Sequence, residues 1–332
     1  MKKIICYLSI MLFFLTACGK YTESNIIKDL EKKINKLETY KLFGKLEIVN
    51  NDNVYNYDVE VSHKKDQFYK IVITNLSNNF TQVILKNEEG VYILTPSLNK
   101  SFKFQSDWPY SNSQIYLLES LLTDIKNSEN RKFSEQNDGY VFSTTVNYPN
   151  NKNLVSQKVF LDKNLNIKEV NVYDKNDIAY MKMKFETSDY SPVFKDDYFN
   201  LDTIMSTYAI SLEKEDNALT LDDLIYPLVI PDGTKLVNED RIKKSLGERV
   251  IMTFDGEKPF VLVEETANIE DEFIVIPTYG EPYLLMDTLG VMTNNSLSWV
   301  SNGVEYYIIS DVLAQEELVE IAQSINVLPT MK

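Results

Sequence analysis

YKLFGKLEIVNNDNVYNYDVEVSHKKDQFYKIVI, Tyr40–Ile73, repeats apolar side chains at every second position. Tyr40, Leu42, Gly44, Leu46 and Ile48 fall on one side of an extended chain, Tyr55, Tyr57, Val59 and Val61 on one side of the next, and Tyr69, Ile71 and Ile73 follow. A period of two, broken by Asn50–Asn53, specifies antiparallel strands joined by short turns. Outward from this stretch the pattern continues through Val83 and Leu85, then Tyr140, Phe142, Thr144 and Val146, then Val155–Leu161, Val170 with Val172, and Ala179, Met181, Met183 and Phe185. Glu89-Gly90, Asp138-Gly139, Lys163-Asn164 and Lys175-Asn176 mark the reversals. The reading is one long antiparallel meander.

Two helical patterns accompany it. Ser24 can cap a helix carrying Ile27, Leu30, Ile34 and Leu37, and Ser113–Lys126 carries Ile115, Leu118, Leu121, Leu122 and Ile125 on one side. A polar run, Glu213–Asn217, has no apolar period and marks a linker over 206–219. The expected fold class is therefore α+β: a large curved antiparallel sheet with covering helices over 24–205, and a smaller α+β domain over 220–332. Strands of that smaller domain are expected at Arg249–Phe254, Pro259–Glu264, Phe273–Pro277 and Glu305–Ser310, with a final helix bearing Leu318, Ile321, Ala322 and Ile325.

The amino terminus sets the compartment. Lys2 and Lys3 precede an apolar core, Ile4–Leu15, too short to span a bilayer, and Leu15-Thr16-Ala17-Cys18-Gly19 follows. Residues 1–17 read as a signal peptide, Cys18 as the thiol that takes a diacylglyceryl group, and 18–23 as a short tether. Two acyl chains hold a protein where one would let go, so the expected location is the extracytoplasmic face of the cell membrane, with Cys18 as lipid anchor. Cleavage leaves 315 of the 332 residues and shifts the net charge from −15 to −17, which excludes nucleic acid as a partner class. Cys6 leaves with the signal, so disulfides, thiolate metal sites and a cysteine nucleophile are excluded from the remainder.

VILKNEEGVYILTPSLNKSFKFQSDWPYSNSQIYLLESLLTDI, Val83–Ile125, together with VSHKKDQFYKIVI, Val61–Ile73, resembles the lipoprotein-carrier (LolA/LolB) superfamily, and more closely its lipid-anchored branch in spore-forming Gram-positive bacteria. The resemblance covers about Ser24–Leu201 and rests on Gly90, Pro96, Lys100, Phe104, Trp108 and Pro109 ahead of the helix. It implies an incomplete β-barrel with helices closing its mouth over an apolar cavity. An anchored chain departs from the soluble shuttling carriers, which leaves receptor, local lipid-handling or scaffold roles. YPLVIPDGTKL, Tyr226–Leu236, and LSWVSNGVEYYIISDVLAQEELVEIAQSI, Leu297–Ile325, resemble a DUF4367-type domain of exported Gram-positive proteins.

A curved sheet must cover its apolar face. If the helices cover it fully the result is a packed core; if not, a groove remains for an acyl chain or another apolar ligand. The candidate groove residues are Leu42, Leu46, Tyr57, Val59, Phe102, Phe104, Trp108, Phe142, Met181 and Met183. Each has an equally direct reading as core, and Trp108 as a lock between helix and sheet.

Catalytic constellations are sought and not found in the sequence. Ser97-Leu98-Asn99-Lys100 matches S-x-x-K but follows Thr95-Pro96 in a turn, without S-D-N or K-T-G downstream. His63, the sole histidine, continues a strand alternation and reads as a sheet histidine. Asp162, Asn164 and Asn166 lack the glycine and the terminal acid of a calcium loop and read as a hairpin turn. The expectation is a non-enzymatic protein without metal or cofactor. Its partners are the membrane through Cys18, an acyl chain or lipoprotein as ligand, and a cell-envelope protein. The alternative is a protein-binding scaffold, or a cofactor of a cell-wall hydrolase in sporulation or germination, a reading that comes from the family branch.

Overall fold

In the computed structural model, residues 22–50, 53–106, 108–109, 113–149, 151–209, 224–285 and 287–325 are described. The signal peptide, Cys18, most of the tether and the linker from 210 onward lie outside them. Helix α1 (Glu23–Asn35) is followed by strands β1 (Thr39–Asn50), β2 (Asn53–Lys64), β3 (Phe68–Asn75), β4 (Thr81–Asn87), β5 (Gly90–Thr95) and β6 (Lys100–Phe104). Helix α2 (Leu118–Asn127) leads to β7 (Lys132–Gln136), β8 (Gly139–Thr145), β9 (Leu154–Asp162), β10 (Ile167–Asp174) and β11 (Ala179–Asp189), then helix α3 (Leu201–Tyr208). The remainder holds β12 (Thr234–Lys243), β13 (Glu248–Gly256), β14 (Phe260–Thr266), β15 (Ile274–Thr278), β16 (Glu281–Leu284), β17 (Leu289–Met292), β18 (Ser296–Ser301), β19 (Val304–Ile309) and helix α4 (Gln315–Ile325).

The meander is present: β6 to β1 pair in sequence, β11 closes onto β1, and β10 to β7 follow, giving a 12-stranded open sheet with β15 on its far edge. The β1–β11 junction depends on Gly44, where a Cβ would lie 2.3 Å from the Lys184 carbonyl oxygen. The ladder shifts register between Phe43 and Gly44 at this point, the mark of a bulge that bends the sheet. The second sheet has seven strands in the order β12-β13-β14-β19-β18-β17-β16.

Three local expectations are corrected. Thr22, not Ser24, caps α1, its Oγ1 accepting from Asn25 N at 3.4 Å, and the buried stripe is Ile26, Leu30 and Ile34 with Ile27 half-covered. Burying those three contributes roughly 2 kcal/mol each, enough to hold a short helix onto the sheet. The second helix begins at Leu118, leaving Ile115 in the turn before it. The strand expected at Phe273–Pro277 in the smaller domain is β15, which pairs in parallel with β6 of the large sheet, Ile274 opposite Lys100.

A third helix, α3, also covers the large sheet and runs through Tyr208, past the expected boundary at 205. Its Ile204 and Met205 pack with Val72, Val83, Leu85, Tyr92 and Leu94, whereas Ile71, Ile73, Ile84 and Ile93 face the other way. Strands β3 to β5 are thus buried on both faces, which explains their nearly unbroken apolar runs.

Candidate functional site: the concave face of the large sheet

Cross-strand register brings the sequence candidates together. Leu46 lies opposite Tyr57 on one side and Met183 on the other, Met183 opposite Val170, Val170 opposite Val159, and Val159 opposite Phe142. Met181 lies one row away opposite Ile48, and Leu42 opposite Val61. Phe102 and Phe104 extend the same face across β6 through Ile93 and Val91. Nine of the ten candidates are buried members of one apolar cluster, and Phe102 is half-buried against it.

What covers them is the chain itself. Ile26, Leu30 and Ile34 of α1 and Leu118, Leu121, Leu122 and Ile125 of α2 belong to the same cluster, as do Leu289 and Val291 from the second sheet. Among the described residues, open depressions of about 350 Å³ beside Leu117 and Asp124 and about 420 Å³ beside Leu154 and Tyr180 adjoin a cavity of about 60 Å³ beneath the cover, which is lined by Ile48, Ile84, Ile115, Met181, Tyr283 and Leu289 among others. Pockets for drug-sized ligands run from about 300 to 1,000 Å³, so the covered cavity holds a few waters and no acyl chain. Met181 is the one groove candidate that lines it. Trp108 is buried edge-on against Tyr69, ring centroids 5.9 Å apart, and its carbonyl accepts from Lys86 Nζ at 2.7 Å. The lock between loop and sheet is the role these contacts describe.

The seam with the second sheet is polar and continuous. Gln82 Nε2 donates to the Leu289 carbonyl at 3.1 Å, while its Oε1 accepts from Leu289 N at 2.6 Å and Thr288 Oγ1 at 2.8 Å. Asn75 Nδ2 donates to the Asp287 carbonyl at 3.1 Å. Lys100 pairs with Glu305 and, at 3.4 Å, with Glu270, and Asn99 Nδ2 reaches the Glu270 carbonyl at 2.8 Å. Sequence reasoning missed these residues. Their signal was there: Asn75 and Gln82 are polar positions beside apolar runs, and a buried amide needs partners.

Lys100 starts β6, with its ammonium directed to the second sheet, and Ser97 sits in a short 3₁₀ turn, Pro96–Leu98. His63 lies between the rings of Tyr40 and Tyr69, centroids 4.8 and 4.5 Å away, with Nδ1 3.2 Å from the Phe68 carbonyl and Nε2 3.7 Å from Glu119. Burial lowers its pKa and the Glu119 carboxylate offsets this in part, so it is a neutral sheet histidine. Asp162 closes the β9–β10 turn, accepting from the backbone N–H groups of Asn164 and Asn166, each at 2.9 Å. Among the described residues no three His, Cys, Asp or Glu side chains cluster as a metal site, and no helix is long and apolar enough to cross a membrane.

Two carboxyls whose pKa is raised by their surroundings remain. Asp124 on α2 accepts from Ser113 Oγ at 3.1 Å and from Gln157 Nε2 at 2.8 Å, and burial raises its pKa to about 6 against these hydrogen bonds. Gln157 Oε1 and Thr144 Oγ1 beside it have no hydrogen-bond partner among the described residues. Glu264 on β14 is 1% exposed, with Ile225 N at 3.4 Å from its Oε2, and burial raises its pKa to about 7. Each carboxyl ties one segment to a sheet, Asp124 through α2 and Glu264 through residue 225.

No family model matches the chain. It is 36% identical over 313 residues to a sporulation protein, YdcC, of Bacillus subtilis (strain 168), an alignment covering 94% of this chain and 93% of that one. Solved structures align at low scores. An uncharacterized conserved protein from Thermus thermophilus matches at TM-score 0.36 and 8% identity over 53% of this chain and 91% of its own. MucB matches at 0.35 and 11% over 92% and 97%, and a LolA superfamily protein from Nitrosomonas europaea at 0.31 and 9% over 53% and 98%. Similarity at this level carries no inference about ligand or partner.

Proposed function

Because this chain belongs to the family of the Bacillus subtilis sporulation protein YdcC, we propose that it serves in sporulation as an extracytoplasmic, non-enzymatic lipoprotein, anchored through diacylated Cys18, that binds a cell-envelope protein such as a cell-wall hydrolase. The observation that carries the protein-binding reading is the filled concave face. A carrier of acyl chains needs an emptied groove, and here α1, α2 and Leu289 occupy it, leaving about 60 Å³ beneath the cover. With the interior occupied, recognition falls to the surface, and the anchor sets the membrane as the place where it happens.

The acyl-chain or lipoprotein-ligand reading keeps one supporting observation: the residual cavity lies at the seam between the two sheets and is lined by Met181 and Leu289. Opening that seam would join it to the candidate groove residues. Affinity purification from sporulating cells after reversible crosslinking, with a Cys18→Ala control, tests the main reading. A reproducible stoichiometric partner, retained by detergent-extracted protein and labelled together with palmitate on Cys18, is expected. Recovery of the protein alone, with palmitate label absent, would remove both anchor and scaffold.

A further inference from the structure

The second sheet ends in an unpaired edge. Among the described residues β12 is hydrogen-bonded to β13 alone and is the first strand in its sheet. Nine of its ten residues are exposed, the first being half-buried. Long open edges accept further strands unless they are blunted. β12 carries three exposed apolar residues, Leu236, Val237 and Ile242, on either side of a polar centre, Asn238–Arg241, and eight of the seventeen exposed large apolar residues among the described residues lie within 226–246. Concentration of that kind marks an interaction surface.

Charge says what fits. The chain carries −15 overall, yet 234–249 holds five basic against three acidic residues. The acids are already engaged, Glu239 by Tyr226 and Arg241, Asp240 by Asn238, and Glu248 by Arg241. Lys244 and Arg249 share Glu265. Lys235 and Lys243 make no ion pair among the described residues. The ladder shifts between Leu236 and Asn238, so Lys235 opposes Asp255 and Lys243 opposes Glu248; seven positions apart on β13, these partners point to opposite faces. The two free ammonium groups thus stand near opposite ends of the edge and on opposite faces.

We propose that β12 is a strand-acceptor edge for an extended segment of the partner protein, acidic at both ends with apolar residues just inside them, roughly eight residues or about 26 Å long. The proposal rests on the scaffold reading and gives it a surface. Backbone hydrogen bonds supply the added strand's affinity, apolar side chains of β12 its burial, and Lys235 and Lys243 its charge selection.

The test is hydrogen exchange on the chain from Gly19 onward with two synthetic eight-residue peptides of alternating Val and Thr, one ended by Asp and one by Lys. At about ten times its Kd the Asp-ended peptide should slow exchange of β12 amides about tenfold, and the Lys-ended peptide should not. In the double variant Lys235→Glu/Lys243→Glu the preference should reverse, a result that misfolding cannot produce. Equal protection by both peptides, protection by neither, or a concentration-dependent dimer whose β12 is already protected would each overturn the proposal. If the crosslinked partner is still recovered by the double variant, the edge is not the docking site while the scaffold reading stands.

Discussion

Asp124→Asn should stabilise the protein at pH 8 and do little at pH 4. Asp124 sits on α2 with two donors, and burial sets its folded pKa at about 6 against an ordinary value of 3.8. An acid whose pKa is raised by folding favours the folded state as pH falls from about 6 to 3.8 and opposes it above 6. The interval, at about 1.4 kcal/mol per pH unit, sets an upper limit of about 3 kcal/mol on the cost of the ionised side chain. An amide removes the charge and keeps the acceptor for Ser113 Oγ. Rotation of Gln157 then turns its Oε1 toward the new N–H in place of its Nε2, so the contact between the two side chains is kept. Net stabilisation of about 1–3 kcal/mol at pH 8 follows, shrinking toward zero near pH 4. Urea unfolding of variant and parent at pH 4, 6 and 8 reads this as a difference, which cancels the opposing acid-limb effect of buried His63. Destabilisation at pH 8, or a gain independent of pH, would refute the electrostatic account of this site.

Glu264→Gln should behave alike with its midpoint displaced upward, since its folded pKa is about 7; its gain should be complete only above pH 8, by the same unfolding measurement. Gly44→Val should lose about 3 kcal/mol or more, because its Cβ would meet the Lys184 carbonyl at 2.3 Å; thermal unfolding of the purified variant checks it, and a Tm within about a degree of the parent would contradict the β1–β11 junction. Gln82→Leu strands the Leu289 N–H and should cost about 2 kcal/mol or more and speed proteolytic cleavage between 266 and 290. Unchanged cleavage there would mean that the seam does not depend on this amide. Cys18→Ala should move the protein from the membrane to the soluble fraction, and persistence in the membrane would exclude the anchor at that position.

The strand framework was legible because a half-buried strand writes its face into every second residue, as Leu42, Gly44, Leu46 and Ile48 do. Coverage of that face was not. Leu289 and Val291 join the core from more than 200 positions away in sequence, and no local pattern announces such a partner. β15 has strand character in Ile274-Val275-Ile276 but carries no address, so proximity in sequence assigned it to the wrong sheet. Pro277 was a usable hint, since a proline within a strand favours an edge, and β15 is an edge strand. Helix α3 was missed for a related reason: the unbroken apolar runs of β3 to β5 called for cover on a second face, and eight residues at the end of the domain provide it.

The account's central claim is that the concave face is occupied by the protein's own side chains. Native mass spectrometry of the chain from Gly19 onward, incubated with excess palmitate and released under gentle conditions, measures this most directly. The filled core predicts the bare mass with no stoichiometric adduct. A retained one-to-one palmitate adduct, abolished by Met183→Glu at a position with 0% exposure in a variant that still folds by circular dichroism, would contradict it.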